Sequence, residues 1–444
     1  GPVPAFINIS GIAGPYLTPA ISTTVRTVFT NTPPITPYRG AGRPEASLAI
    51  EAVIDLAAEK LGIDRIELRR RNMIPPEALP YQTPLTYNYD SGRFEETMDK
   101  ALAAADIPGF EKRRLDSEAR ALRRGLGIAN SIEQSAGGFE EYAGIRFSED
   151  SSVTVLMGTS SHGQGHETVF RQIVSERLGL SFERIRVVQS DTDKVPYGHG
   201  TFGSRSASAG GSALMHAADR IIDKGKVIAA HHLEVAARDI EFANGSFVVA
   251  GTDRVVSLEK VVQLAFSWRA LPPDLEPGLD ERGVFKPPQA TFPNGTHICE
   301  VEVDPETGRI ALVRYTVCDD VGTVLNPLVL KGQIHGGVGQ GAGQILMEDI
   351  AWDDDSGQLL SGSFMDYAMP RAEDFPNFDV ISNPIPTKIN VLGVKGAGEA
   401  GAVGAMPCIV NAIVNALRPL GVHEIGMPAT PERVWRAIQE AGGG

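Results

Sequence analysis

Cysteine is scarce in this 444-residue chain: Cys299, Cys318 and Cys408 are the only three, and no two share the close spacing of a disulfide framework or a Cys-based metal cage. A reducing, cytoplasmic setting is the expectation. The expectation is that no stretch of 18 apolar residues exists anywhere, which rules out a spanning helix, and that no charged-then-apolar leader opens the chain. Positive charge is also short. Lys and Arg number 41 against 55 Asp and Glu, a net −14, which disfavours a nucleic-acid surface and attraction to anionic membranes. Hydrophobic residues at 42% and charged residues at 22% are ordinary for a globular protein, so disordered and fibrous classes are excluded. The length suits roughly two to four domains. The chain opens on Gly1-Pro2 without an initiator Met, consistent with processing or with a piece of a longer polypeptide.

What the chain has in excess is glycine and proline, 48 and 30 residues, about 18% together against an average near 12%. The windows 158–165, 198–211, 332–343 and 393–404 hold three, five, six and five of the glycines. Each window taken alone fits tight turns or close helix packing. Four together suggest backbone pressed against one bulky ligand. Around them, Arg43-Pro44-Glu45 with an apolar stripe and Gly62 predicts a helix. Short helices follow from Asp64 and near 92–105, and the charged stretch 107–125 reads as a surface connection with a domain boundary. Strands are expected at 153–157 and 184–188 with a helix over 166–178 between them, and a long Ala-rich helix after Ser204. A hairpin is expected over 296–318, a Gly-rich helix over 328–346, and late helices near 407–419 and 430–441. The fold class is α+β, with mixed sheets and packed helices and no internal repeat.

Several of these segments carry chemistry. Glu399 is the only acid in Gly393–Gly404, among small residues that cannot solvate a carboxylate, a setting in which a carboxylic acid serves as general base near neutral pH. It could equally cap the following helix. Lys395 stands four residues earlier. Gly158–Thr168 joins a strand to a helix, and its exposed amides with Gln164 suit an anionic ligand. His162 and His166 have helical spacing, but no glutamate stands between them as a zinc hydrolase motif requires. Ser204, Arg205 and Ser206 open a helix and could hold a phosphate, or could simply cap it. In Gly332–Gln340 the glycines, each costing about 1 kcal/mol inside a helix, need a reason such as cofactor approach. Pro37–Pro44 is a compact loop with two guanidinium groups. No complete side-chain metal site, nucleophile elbow or dinucleotide fingerprint is present.

In this order, the segments resemble the molybdenum-cofactor subunits of the xanthine dehydrogenase, aldehyde oxidase and carbon monoxide dehydrogenase large-subunit family. Tyr38-Arg-Gly-Ala-Gly-Arg-Pro-Glu-Ala46 with Glu67–Met73 is similar to that family's active-site loop and the helix after it. Gly163-Gln164-Gly165-His166 resembles the loop beside the pterin dithiolene, Gly203-Ser204-Arg205-Ser206 the serine-rich pterin-phosphate loop, and Gly332-Gln333 the pterin-binding glutamine segment. Gly393-Val-Lys395-Gly396-Ala-Gly-Glu399 resembles the stretch bearing the catalytic glutamate.

The resemblance implies a hydroxylase using water-derived oxygen, with Glu399 as base and Arg39 with the Gly40 and Ala41 amides orienting the reacting ligand. It implies molybdopterin, in the cytosine dinucleotide form, holding molybdenum through its dithiolene with no protein ligand, and iron–sulfur clusters and FAD on partner subunits. Residues 1–120 would be the end of a first cofactor-binding domain and 121–444 a second. The family's N-terminal half is missing, so a separate subunit or the rest of a longer chain is an expected partner. Carbon monoxide dehydrogenases carry a copper-binding cysteine where this chain has Gly40-Ala41-Gly42, and purine enzymes tend to carry an aromatic there. An aldehyde or N-heteroaromatic substrate is therefore expected, with a carbon monoxide dehydrogenase-like protein or a non-catalytic scaffold half as alternatives.

Overall fold

The computed structural model describes residues 3–442, so Gly1-Pro2 lies outside the described residues. The chain begins with helices α1 (Val3–Gly11), α2 (Arg43–Leu61) and α3 (Arg65–Asn72), short strands β1 (Tyr81–Gln82) and β2 (Asn88–Tyr89), then α4 (Phe94–Ala105) and α5 (Phe110–Glu118). A middle stretch holds β3 (Arg123–Ile132), β4 (Glu141–Phe147), β5 (Val153–Met157), α6 (His166–Leu178), β6 (Ile185–Val188) and α7 (Gly211–Leu233). It continues through β7 (Ile240–Ala243), β8 (Ser246–Val249), β9 (Val255–Ser257), α8 (Leu258–Ala265) and β10 (Asp280–Phe285). The last part holds β11 (Asn294–Val303), β12 (Ile310–Asp320), α9 (Pro327–Leu346), β13 (Phe378–Ser382), α10 (Ala400–Leu417) and α11 (Pro431–Gly442). Helices with mixed sheets make the class α+β, as the sequence predicts.

Local chemistry sets many of the ends. Pro44 stands in the first turn of α2, and Gly62 closes that helix in the left-handed region at φ 65. The Asp64 carboxylate accepts from the amides of Ile66 and Glu67 to start α3, and Asn326 caps α9 through the Val329 amide.

Two compact units result. One comprises residues 1–135, 291–387 and 397–444, the other 136–290 and 388–396. The chain leaves the first unit and returns to it twice.

In the first unit the sheet runs β13-β12-β11-β3, antiparallel except for the parallel β12/β13 pair. Helix α10 lies on β3 and β11 and against α2 and α9. Small residues allow this approach: a Cβ at Gly125 or Gly127 would stand 2.0 Å from the carbonyl oxygens of Ala412 or Cys408, and one at Gly337 would stand 2.8 Å from Gly401. Three sequence expectations change here. Helix α10 begins at Ala400, well before the predicted 407, with Pro407 inside it. It is also long and apolar enough to cross a membrane over Ala400–Leu420, contrary to the expectation that no such run exists. That stretch is the buried core helix of this unit, with Ala402, Val403, Ala405, Cys408, Ile409, Ala412 and Ile413 fully enclosed. Finally, 107–125, expected as a surface connection, is partly helical. It contains α5, whose Arg113 joins Arg124 in holding the buried Glu300 carboxylate, each with a contact of 2.7 Å.

The second unit has a sheet in the order β10-β4-β5-β6, parallel only between β5 and β6, and a separate antiparallel sheet β7-β8-β9. Helix α7 packs on β10 and β4 and beside α6. A Cβ at Gly283 would stand 2.1 Å from the Ala213 carbonyl oxygen, so that glycine lets the helix settle onto the sheet.

Candidate functional site

In the first unit the functional groups converge where the loop before α2 meets the residues before α10. Gly40, Ala41 and Gly42 have φ of 102°, 47° and 96°. Three successive left-handed residues make a tight loop, and a Cβ at Gly42 would stand 2.0 Å from the Pro4 carbonyl oxygen. The loop turns the Gly40 amide toward Glu399 Oε1 at 3.0 Å. Arg43 Nη1 lies 3.5 Å from Glu399 Oε2. Glu399 occupies the N-cap position of α10, yet its side chain does not cap that helix. The expectation of a carboxylate stranded among small residues is thus replaced by one oriented from both sides by donors.

Arg39 is committed to the protein. Nε donates to the Gly398 carbonyl at 2.6 Å, Nη2 to the Gln333 carbonyl at 3.1 Å and its Oε1 at 3.2 Å, and Nη1 to Gln340 Oε1 at 3.4 Å. Burial lowers its guanidinium from the ordinary range, and the Glu399 and Glu133 carboxylates oppose that shift. The guanidinium is therefore a clamp joining three segments. Because the Gln333 amide oxygen faces Arg39, its amide nitrogen is turned away as a donor.

The glycines around Gln333 mostly serve packing. A Cβ at Gly341 would stand 2.9 Å from Ala405, one at Gly343 would strike the Glu348 carboxylate and Pro370, and one at Gly332 would meet nothing within 4 Å. In this window packing accounts for Gly337, Gly341 and Gly343 and not for Gly332.

The second unit gathers the other candidates. Gly163 and Gly165, with φ of 95° and 76°, shape the loop from β5 into α6. Gln164 folds back on that loop: its Oε1 accepts from the His162 amide and its Nε2 donates to the Ser160 carbonyl at 3.4 Å. His166 is buried, with Nδ1 at 3.0 Å from Gln189 Oε1 and its ring against Phe170. Burial holds its imidazole below the ordinary histidine range, the Gln189 hydrogen bond opposes this, and His162 adds to it. The sequence placed Gln164 and His166 at a ligand; the structure gives both side chains partners within the protein.

The loop before α7 follows the same logic. Arg205 is 1% exposed and pairs with the buried Glu141 carboxylate, while donating to the carbonyls of Gly200 at 3.0 Å, Phe139 at 3.1 Å and Glu140 at 2.8 Å. Arg205 therefore braces the loop from within instead of offering charge at its rim. Glu141 was invisible as a functional residue in the sequence, since nothing near it signals a partner 64 positions away. Around this brace Gly200, Gly203 and Ser204 have φ of 79°, 55° and 53°. Ser206 Oγ pairs with Thr201 Oγ1 at 2.8 Å and opens a π-turn over Ser206–Gly210 into α7. Gly396 presses on the loop so closely that a Cβ there would stand 1.9 Å from the Ser204 carbonyl oxygen, and the adjacent Lys395 is 2% exposed.

At Gly163, Gly200 and Gly203 nothing lies within 4 Å of the Cβ position. Their left-handed backbone leaves open space beside the serine loop and the start of α6, although the Gly200 amide is bonded to the Gly158 carbonyl at 3.1 Å and Ser206 to Thr201. The first unit offers an oriented carboxylate that can accept a proton, and an amide donor at Gln333.

Comparison with known proteins gives these features a setting. Two family models, each described as a molybdopterin cofactor-binding domain, match residues 2–73 and 100–376. The gamma subunit of the 6-hydroxypseudooxynicotine dehydrogenase complex of Paenarthrobacter nicotinovorans is 36% identical over 99% of this chain and 56% of its own length. The carbon monoxide dehydrogenase large chain of Hydrogenophaga pseudoflava is 35% identical over 96% of this chain and 55% of its own. Among solved structures, quinoline 2-oxidoreductase from Pseudomonas putida 86 superposes with a TM-score of 0.91 at 32% identity, covering 99% of this chain and 57% of that one. The chain thus spans about half the length of the curated relatives it matches.

Proposed function

This chain belongs to the molybdopterin cofactor-binding family of xanthine, aldehyde and carbon monoxide dehydrogenase large subunits, and we propose that it is the cofactor-binding part of a molybdenum hydroxylase acting on an aldehyde or an N-heteroaromatic compound. One observation carries the reading: the Glu399 carboxylate is oriented by the Gly40 amide at 3.0 Å and faced by Arg43 at 3.5 Å. A positioned carboxylate is what proton abstraction from a water-derived nucleophile requires.

The residues present fit the cofactor's anionic, donor-seeking surface. The left-handed loops at Gly163, Gly200 and Gly203 and the hydroxyls of Ser204 and Ser206 would hold it, and the Gln333 amide nitrogen is a further candidate donor. When bound, the cofactor supplies the metal centre that activates the oxygen and takes up the electrons. Glu399 accepts the proton, Arg39 fixes Gln333 and the Gly398 backbone, and Glu141 with Arg205 keeps the serine loop in shape. In this proposal the cofactor is the cytosine dinucleotide form, the complex is cytoplasmic, and electrons leave through iron–sulfur clusters and FAD on partner subunits. The remaining length of the relatives, as a subunit or as more of this chain, completes the enzyme. Large apolar side chains left in the open, among them Phe29, Phe364 and Met365 at 84% exposure or more, suit such a partner.

Carbon monoxide oxidation with copper is the weaker reading, because all three thiols are buried at positions 299, 318 and 408 and none stands in the Gly40–Gly42 loop. The test is elemental and kinetic. The intact complex should contain molybdenum, iron and flavin without copper, and Glu399→Gln should lose on the order of 10²–10⁴-fold in turnover while keeping its molybdenum. Full turnover by that variant would leave only a scaffold role, and copper beside molybdenum would favour carbon monoxide oxidation.

A further inference from the structure

Arg43 is the first residue of α2 and is only 4% exposed. The position is unfavourable for a cation on two counts. Burial removes its water, and the N-terminal end of a 19-residue helix carries positive partial charge. Its neighbours show what offsets this. Nη1 donates to the Gly40 carbonyl at 3.0 Å and faces Glu399 Oε2, and the Tyr87 hydroxyl, itself donating to Gln134 at 3.1 Å, lies beside the guanidinium. Among the described residues Glu399 is the one carboxylate within ion-pair distance of Arg43.

The Gly40 peptide serves both partners. Its N–H binds Glu399 Oε1 and its C=O binds Arg43, so Gly40, Arg43 and Glu399 close a ring of three contacts. The ring is stiff: Gly40 has φ 102°, and a Cβ there would stand 2.5 Å from Pro44. Within it the two carboxylate oxygens differ. Oε1 meets an amide at 3.0 Å and Oε2 meets a cation at 3.5 Å.

We infer that Arg43 is a positioning residue that acts through Glu399, fixing the orientation of the carboxylate that receives the proton. This rests on the reading of Glu399 as the base. The competing explanation is that Arg43 merely anchors the loop through the Gly40 carbonyl. The two differ in coupling: an anchor acts whatever stands at position 399, whereas a positioning residue matters only while the carboxylate is there.

A double-substitution cycle in the intact complex separates them, with quinoline and benzaldehyde as probe substrates and a dye as electron acceptor. Arg43→Met should lower kcat about ten- to a hundredfold with KM within about twofold, a part of what a general base supplies. Arg43→Lys, which keeps the charge, should recover part of the loss. In a Glu399→Gln background Arg43→Met should cost no further turnover. The reciprocal effect is read without activity: Glu399→Gln should lower Tm while Arg43 is present, because a buried cation loses its anion, and should lower it less in the Arg43→Met protein. Arg43→Met with full kcat beside an inactive Glu399→Gln overturns the inference, and so do Tm shifts that simply add. Should Arg43→Met fail to assemble, Arg43→Gln keeps a donor for Gly40 without the charge and decides by the same comparison. Full turnover by Glu399→Gln removes the reading of Glu399 as base and this inference with it, whereas an inactive Glu399→Gln with additive shifts removes the inference alone.

Discussion

Gly396→Ala is the most informative small change the structure offers. A Cβ at this position would lie 1.9 Å from the Ser204 carbonyl oxygen and 2.6 Å from the Ser204 Cβ. Non-bonded carbon atoms settle near 3.5–4.0 Å, so the serine loop would have to retreat by about 1 Å or more. It has little freedom to do so. Ser204 already has φ 53°, and the next residue, Arg205, is tied to Glu141 and three carbonyls on the far side of the loop. A displacement of about 1 Å in a positioning element costs on the order of 10²-fold in rate. Turnover of the purified complex should fall by about that factor, with fewer molybdenum atoms per chain and an unchanged far-ultraviolet circular dichroism spectrum. Gly332→Ala is the control, since its Cβ would meet nothing within 4 Å. It should gain about 0.5–1 kcal/mol in stability from helix propensity and keep its molybdenum. Full molybdenum and full turnover in Gly396→Ala would show that the serine loop does not set cofactor binding.

Two further outcomes follow from buried charge. Arg69, fully enclosed, holds the equally enclosed Glu51 carboxylate at 2.7 Å and also meets Asp55 at 2.7 Å. Arg69→Leu leaves Glu51 buried without its cation and should destabilise the protein by about 3–5 kcal/mol in urea unfolding; a change near zero would mean the pair is not buried in solution. His166 lies below the ordinary histidine range because of burial, partly opposed by Gln189 and assisted by His162. As pH falls the unfolded chain protonates this histidine first, at about 6.5, so the stability it contributes is present above that pH and lost progressively below it. The urea midpoint should therefore drop between about pH 7 and 5.5, and His166→Gln should flatten that slope; an unchanged slope would refute the assignment.

The helix ends were legible wherever a side chain or a special backbone angle sets them locally. Pro44 and Gly62 bound α2, and Asn326-Pro327 starts α9, because caps and left-handed closures depend on a few neighbouring residues. Helix α10 escaped this logic. In its first turns Gly401 and Gly404 offset the helix preference of the alanines, and Pro407 imitates a helix start. Burial against α9 favours the helix there, a long-range cause absent from the local pattern. The same packing accounts for Gly337 and Gly341 of α9.

The chemistry shows a parallel divide. Motif order located every loop that bears a candidate group, yet it could not say which way an arginine faces. Arg39, Arg43 and Arg205 are alike in sequence, each set among glycines and each plausible as a cation for a ligand. In the structure Arg39 and Arg205 spend their donors on carbonyls and side chains of the protein, and Arg43 faces Glu399 across 356 positions. A guanidinium's role is set by what lies opposite it, and those partners come from distant segments. The glycines divide by a criterion that a sequence also lacks. Gly125, Gly337 and Gly396 are closed by neighbouring atoms, whereas Gly163, Gly200 and Gly203 combine left-handed φ with open space. Packing and turn geometry account for the first three. Turn geometry accounts for the φ of the others, and the same open space stands before the left-handed Gly62, Gly138, Gly251 and Gly357. What sets Gly163, Gly200 and Gly203 apart is therefore their place beside the serine loop and a helix start and not their openness.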